Sequence, residues 1–128
     1  MMNKTSIALL LLSSFTWGCS FYARSAEDYQ EETTKLLASK SDELKSCYDD
    51  VLQKNPKAGG VVAVDFTVEA KTGKILDPKI NESKTTAGGR VQKCVLAAME
   101  GLALDPPDQR TGVASFSYEF VSNEPKQL

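Results

Sequence analysis

The sequence contains no histidine among its 128 residues. Histidine is the commonest general base near neutral pH and the commonest metal ligand, so its absence argues against both kinds of site. There are 15 basic and 17 acidic residues, and the basic ones form no block. This distribution argues against binding of nucleic acid, which requires a basic face. The three cysteines include no Cys-x-x-Cys pair, so a dithiol redox site is not indicated.

The rest of the composition is that of an ordinary globular protein. Apolar residues make up 41% of the chain and charged residues 25%, and the formal net charge is −2. A length of 128 residues fits one domain better than two, and we find no internal repeat.

The N-terminal segment differs in character from the rest of the chain. A short basic start is followed by an apolar run over residues 7–17 and then by Gly18 and Cys19. This layout is typical of a secretory signal peptide, and the apolar run is shorter than the roughly 20 residues of a membrane span. We expect a signal peptide over residues 1–18 and an extracytoplasmic protein of the bacterial periplasm or outer membrane.

Three outcomes of processing stay open for this segment. Gly18 followed by Cys19 resembles the end of a bacterial lipobox, which predicts cleavage after residue 18 and lipidation of Cys19. Ala23 and Ser25 instead offer the small residues that a general signal peptidase reads, which would extend the signal peptide to residue 25. An uncleaved anchor is the third outcome. Lipidation has the advantage that it accounts for Cys19 if the other two cysteines pair.

Residues 19–38 are mostly polar, and we expect a polar spacer there, although a leading helical extension over residues 26–38 stays open. The domain itself is expected over residues 39–122, followed by a tail over residues 123–128. Its first helix is predicted to begin with Ser41 as the N-cap, because apolar residues then recur at three- and four-residue spacing until Pro56.

The pattern then changes to strict alternation. Residues 62–69 alternate apolar and polar side chains, which predicts a half-buried strand. A turn with Gly73 in the left-handed region follows, and then a second strand over about residues 75–83. Pro78 cannot donate a ladder hydrogen bond, so this second strand should lie at an edge of the sheet.

A second helix and a last strand complete the predicted domain. The helix begins near Ala87 and carries an apolar stripe until Asp105 and two prolines stop it. The last strand covers residues 113–121. The order helix, hairpin, helix, strand predicts an α+β fold, with a small antiparallel three-stranded sheet in the order 2-1-3 and two helices on one face.

Cys47 and Cys94 lie on the apolar stripes of the two predicted helices. Two helices on one face of a small sheet bring such stripes together, and neighbouring helices can supply the Cα separation of roughly 4.4–6.8 Å that a disulfide needs. In an oxidising compartment we therefore expect a Cys47–Cys94 disulfide. Two buried free thiols are the alternative, and a catalytic thiol would lack a histidine as its base.

Several of these features together carry a family resemblance. They are Cys47-Tyr48, Asn55-Pro56, Gly60, the alternating strand, Gly73, Ser83, Cys94, Pro106-Pro107 and the aromatic strand that ends at Phe120. Over residues 44–121 the sequence resembles the AgmX/PglI C-terminal domain, within the TonB/TolA C-terminal-like group. The resemblance implies a binding or scaffold domain of the cell envelope, in some cases tied to transport or motility machinery.

The last strand is where we expect a partner to bind. This strand has neither proline nor lysine to guard its edge against pairing, and TonB domains capture a short partner segment at a sheet edge. The outward-facing positions of the strand are Val113, Ser115, Ser117, Glu119 and Val121. We expect an envelope protein or peptide to add there as a further strand. The alternative is that the spacer or the C-terminal tail covers this edge.

Two other classes of function stay open, a small extracytoplasmic enzyme and a purely structural envelope lipoprotein. Adjacent acidic residues such as Asp49 and Asp50 are poor acid–base pairs, because neighbouring residues on a helix do not face each other. Nothing in the sequence assembles a nucleophile, a base and an orienting group. We therefore expect no enzymatic activity, no cofactor and no metal ion.

Overall fold

The computed structural model describes residues 24–122 and shows there a three-stranded antiparallel sheet with three helices. The predicted signal peptide, Cys19 and the tail over residues 123–128 lie outside the described residues. The elements in chain order are α1 (Ala26–Ala38), α2 (Ser41–Lys54), β1 (Gly60–Val68), β2 (Ile75–Ile80), α3 (Gly89–Met99) and β3 (Gly112–Phe120).

The sheet has β1 at its centre, in the order β2-β1-β3. The predicted α+β class and the strand order 2-1-3 are therefore confirmed. β1 pairs with β3 along its whole length, from Gly60 opposite Phe120 to Val68 opposite Gly112. Pro78 lies on the edge strand β2, where the missing main-chain donor leaves no gap in the centre of the sheet.

The core lies between one face of the sheet and the helices. The predicted alternation in β1 is confirmed by the buried side chains of Val62, Val64, Phe66 and Val68, although Ala63 between them is buried as well. The apolar stripe predicted for the second helix of the domain is also buried, on α3. The buried side chains of these two elements include Val62, Val64, Phe66 and Val68 of β1 and Val91, Cys94, Val95, Ala98 and Met99 of α3.

Helix α1 occupies residues 26–38 of the expected spacer, which is the alternative that the sequence left open, and the described residues contain three helices rather than the predicted two. Ser25 and Asp28 form a capping box, in which each side chain accepts a hydrogen bond from the main-chain N–H of the other. Tyr29, Thr33 and Leu37, spaced by four residues, are buried. The domain therefore includes residues well before residue 39.

Two helix boundaries also differ from the prediction. Lys40 rather than Ser41 is the N-cap of α2, and its side chain makes no capping hydrogen bond. Helix α3 ends at Met99 rather than near Asp105. Just beyond that end, Gly101 adopts a φ of 74°, and this left-handed conformation suits glycine and ends helices.

The helices are short. Within residues 24–122, none is both long enough and apolar enough to cross a membrane.

Candidate functional site

A disulfide joins Cys47 of α2 to Cys94 of α3, with their Cα atoms 5.7 Å apart. The two helices pack against each other through their apolar stripes, as the spacing predicted. Cys94 is only 2% exposed and Cys47 is half-buried. The predicted pairing is confirmed, and the alternative of two free thiols does not apply.

The outer edge of β3 can be located from the hydrogen bonds of Ser117. Its N–H donates to Oε1 of Gln30 at 2.9 Å, and Nε2 of Gln30 donates to its carbonyl at 3.1 Å. Both main-chain groups of Ser117 therefore point away from β1. Since successive residues of a strand direct their main-chain groups to opposite edges, the predicted positions Val113, Ser115, Glu119 and Val121 direct theirs outward too.

Helix α1 covers the first part of this outer edge. Tyr29 packs against Gly112 so closely that a Cβ at that position would overlap its hydroxyl. Gln30 pairs with Ser117 in the way that one residue of a fourth strand would. The segment before residue 39 thus covers the edge, as the sequence-based alternative proposed, but only from Gly112 to Ser117.

The predicted edge residues therefore fall into two groups. Val113 and Ser115 lie on the stretch along which α1 packs, although the Val113 side chain is 82% exposed. Glu119 and Val121 lie beyond Ser117, and Val121 is 74% exposed. Within residues 24–122, no hydrogen bond from outside the sheet reaches the outward main-chain groups of Glu119 or Val121. We call these two residues the open edge.

A groove of about 360 Å³ lies beside the open edge, between the start of α2 and the end of β3. We call it the edge groove. It contains a run of aromatic rings, with the Tyr48 and Tyr118 centroids each 4.8 Å from that of Phe120. Its lining residues are Ser41, Asp42, Leu44, Lys45, Tyr48, Tyr118, Glu119, Phe120 and Val121. An apolar side chain of an added strand fits this environment.

A buried polar cluster lies at the other end of β3. Arg24 Nη1 is 2.6 Å from Asp108 Oδ1, and Arg24 Nη2 donates to the Pro106 carbonyl at 2.6 Å. The Tyr29 hydroxyl donates to the second oxygen of Asp108. The Arg24 side chain is fully buried and that of Asp108 is 3% exposed. We call these residues the Arg24 cluster.

Tyr29 responds to this environment. Burial of the hydroxyl and, to a smaller extent, its hydrogen bond to Asp108 raise the pKa of Tyr29 to about 12. The hydroxyl therefore stays protonated and donates at neutral pH. Sequence reasoning missed the Arg24 cluster, because Arg24 lies in a segment assigned to processing and Asp108 lies just after two prolines.

A second pocket, of about 540 Å³, lies between the end of α2 and the start of α3. Lys54, Lys57 and Arg90 contribute its charges, and its described lining residues include no carboxylate, hydroxyl or thiol. In the part of the chain that the structure describes, no group of His, Cys, Asp or Glu side chains is placed to hold a metal ion. The open edge with its groove is therefore the candidate site.

Comparisons with protein-family models, with curated proteins and with solved structures found no match for this chain. The resemblance to the AgmX/PglI C-terminal domain therefore stays a prediction. The candidate site is assigned on its geometry alone.

Proposed function

We propose that this protein is a non-enzymatic component of the cell envelope, lipid-anchored at Cys19, whose domain binds an extended segment of a partner protein at the open edge. The observation that carries the proposal is the pair of outward main chains at Glu119 and Val121 beside the aromatic edge groove. The partner belongs to a transport or motility assembly of the periplasm or outer membrane, as the family resemblance implies.

Strand addition uses the two parts of this site differently. Outward N–H and C=O groups give affinity through main-chain hydrogen bonds, which any sequence can make. Side-chain pockets beside the edge give selectivity, because alternate side chains of the added strand point to the same face. The open edge supplies the first contribution and the edge groove the second.

The disulfide supports an extracytoplasmic location. Disulfides persist in oxidising compartments and are rare in the cytosol, where thiols are kept reduced. The Cys47–Cys94 bond joins α2 to α3, and an oxidising compartment would preserve it. The proposed membership of the AgmX/PglI group agrees with this location.

The Arg24 cluster supports processing before Cys19 rather than after Ser25. A mature chain beginning at Ala26 would lose Arg24 and leave the buried Asp108 carboxylate without its ion pair. Removing one partner of a buried ion pair costs about 3–5 kcal/mol, and the loss of the Ser25 cap about 1 kcal/mol more. Cleavage before Cys19 retains both residues.

Two substitutions at one position test the binding site. Glu119→Pro removes an outward N–H without touching the ladder to β1, whereas Glu119→Ala keeps that N–H. A photo-crosslinking residue at Val121, with Lys79 on the opposite edge strand as the control position, is used in cells to identify the partner. We expect the proline variant to bind the identified partner at least about tenfold more weakly than the alanine variant. Equal affinities of the two variants would contradict the proposed site.

The anchor has its own test. The intact mass of the mature protein from membranes should correspond to a chain that begins at an acylated Cys19, and Cys19→Ala should release the protein from the membrane fraction. A mature N-terminus at Ala26 would contradict the anchor and leave the binding site untouched.

A further inference from the structure

The edge groove carries two carboxylates that form no ion pair with any described residue. Asp42 and Glu119 both line the groove. The ion pairs found within residues 24–122 involve neither of them. Lys45, the cation among the described lining residues, is held by Asp49 at 2.6 Å, one turn further along α2. The groove therefore presents net negative charge beside its aromatic side chains.

Gln30 limits the length of a segment that pairs with this edge. Its amide occupies the place of a partner residue at Ser117, because it both accepts from the N–H and donates to the carbonyl. A segment that leaves α1 in place therefore pairs with Glu119 and Val121 and ends before Ser117. Only a few residues of such a segment can contact the sheet.

The two faces of the added segment meet different environments. Side chains of consecutive strand residues point to opposite faces. On the helix face they meet Leu44, Tyr48 and Tyr118, which favour an apolar side chain. Asp42 of α2 lies on this helix side of the groove, whereas the Glu119 side chain alternates with Tyr118 and lies on the other face, and each carboxylate favours a cation.

We propose that the segment bound at the open edge is a short basic one, in which lysine or arginine side chains meet Asp42 and Glu119 and a nearby apolar side chain enters the edge groove. This inference rests on the proposed function, because it names the chemistry of the segment that binds there. Exposed ion pairs contribute modestly to affinity, so the basic residue selects among segments while main-chain bonds and the apolar side chain hold them.

A random library of eight-residue peptides, selected at low salt on the full mature protein, tests the proposal. We expect the selected peptides to combine a lysine or arginine with a nearby apolar residue. Their affinity should fall roughly fivefold to tenfold for the double variant Asp42→Asn/Glu119→Gln, since two exposed ion pairs are lost. The matched control is Asp50→Asn/Glu100→Gln, which removes two exposed carboxylates outside the groove and should leave affinity unchanged.

The outcomes separate this inference from the function on which it rests. Peptides whose binding is abolished by Glu119→Pro but which carry no basic residue overturn the inference and leave the proposed binding site standing. If the selected peptides bind the two double variants with equal affinity, the inference also falls and the proposed binding site stands. Peptides that bind regardless of Glu119→Pro overturn the proposed binding site as well.

Two other occupants of the edge are tested by amide exchange without peptide. If removal of residues 123–128 increases exchange at Glu119 and Val121, the tail of the chain occupies the edge and the inference falls. If exchange at these residues slows as protein concentration rises, a second copy of the chain occupies it, and the inference falls too. Exchange that responds to neither change, together with selection of basic peptides, is the expected result.

Discussion

Arg24 places a permanent positive charge in the protein interior, where an unpaired ion costs several kcal/mol. Asp108 makes this burial tolerable, since one of its oxygens bonds Arg24 and the other accepts from Tyr29. The Pro106 carbonyl accepts a further hydrogen bond from the guanidinium. Removing Arg24, Asp108 or Tyr29 leaves a buried charge or polar group of the cluster without its partner. The effects of the three side chains on the free energy of unfolding should therefore not be additive.

We expect Arg24→Met to lower the free energy of unfolding by about 3–5 kcal/mol, because it leaves the Asp108 carboxylate buried without a counterion. The triple variant Arg24→Met/Tyr29→Phe/Asp108→Leu should recover most of this loss, since it removes both charges together with the hydroxyl that donates to Asp108. Urea denaturation of the two variants and the wild type checks the prediction. A loss below about 1 kcal/mol for the single variant would show that the ion pair is not buried in solution.

Tyr29 gives the same cluster a signature at high pH. Its folded pKa of about 12 lies above the ordinary value of 10.0, so its contribution to stability is complete below pH 10 and is lost as the pH rises through 12. The difference in unfolding free energy between the wild type and Tyr29→Phe should therefore be constant below pH 10 and decline between pH 10 and 12. Denaturant titrations across this range measure it, and a constant difference would contradict the assignment.

At the scale of the elements, α1 is attached both by its buried residues Tyr29, Thr33 and Leu37 and by polar contacts with β3. Tyr29 packs on Gly112, while the Gln30 amide closes the main chain of Ser117. The helix thereby covers about half of the outer edge of β3. Its attachment at Ser117 depends on one side chain.

Gln30→Met should remove both hydrogen bonds to Ser117 while a side chain of similar size still fills the space. Methionine has a similar length but can neither accept from the Ser117 N–H nor donate to its carbonyl, so amide exchange at Ser117 should speed up severalfold. Gln53→Met, on the exposed face of α2, is the matched control and should leave exchange at Ser117 unchanged. Equal exchange in the two variants would mean that the amide does not protect the edge in solution.

The disulfide fixes α2 to α3 across a sequence separation of 47 residues. Closing a loop of this length stabilises a fold by about 4 kcal/mol, mainly by restricting the unfolded chain. The double variant Cys47→Ala/Cys94→Ala should lose about that much unfolding free energy in denaturant titrations. A loss near zero would indicate that the two helices stay together in the unfolded chain.

The sequence predicted the elements whose signal is local and missed the one whose stability depends on distant residues. Alternation located β1, the proline placed β2 at the edge, and the two helical stripes predicted the disulfide. Helix α1 has few apolar residues, and Thr33 is buried although it is polar. Its contacts are with β3 and Asp108, more than 70 residues away along the chain. The Ser25 and Asp28 capping-box spacing was the one local signal that could have indicated it.

The candidate site, too, could be predicted only as far as local patterns reach. The outward positions of the last strand could be listed from alternation alone, but the sequence could not show that Gln30 closes Ser117 and leaves Glu119 and Val121 open. Nor could it place Tyr48 of α2 beside Phe120 to form the edge groove. Both facts depend on how α1 and α2 pack on the sheet, which local patterns do not encode.

At the scale of the whole molecule, the two ends of β1 have different roles. The Val68 end lies beside the Arg24 cluster, since Lys71 donates its N–H to the Asp108 carbonyl at 2.9 Å. The Gly60 end lies beside Phe120, the edge groove and the second pocket. The nine residues of β1 separate these ends by about 30 Å. The Arg24 cluster and the candidate site are thus at opposite ends of the sheet.

This arrangement makes the N-terminal boundary a property of the whole fold. A chain that begins at Ala26 should have an unfolding free energy lower by about 4 kcal/mol or more than a chain that begins at Ser20, because it lacks Arg24 and the Ser25 cap. Chemical denaturation of the two chains, each with its disulfide intact, measures the difference. Equal stability would remove the argument that processing occurs before Cys19.

The Gln30 contact also bears on how this protein avoids aggregation. An exposed strand edge is a template for uncontrolled pairing with other chains, and the segments that stack into fibrils are typically about six or seven residues long. With α1 in place, the uncovered part of β3 is limited to the stretch after Ser117, while Pro78 guards the other edge of the sheet. The protein can therefore keep a short length of edge available for a chosen partner while offering too little of it for copies of itself to polymerise.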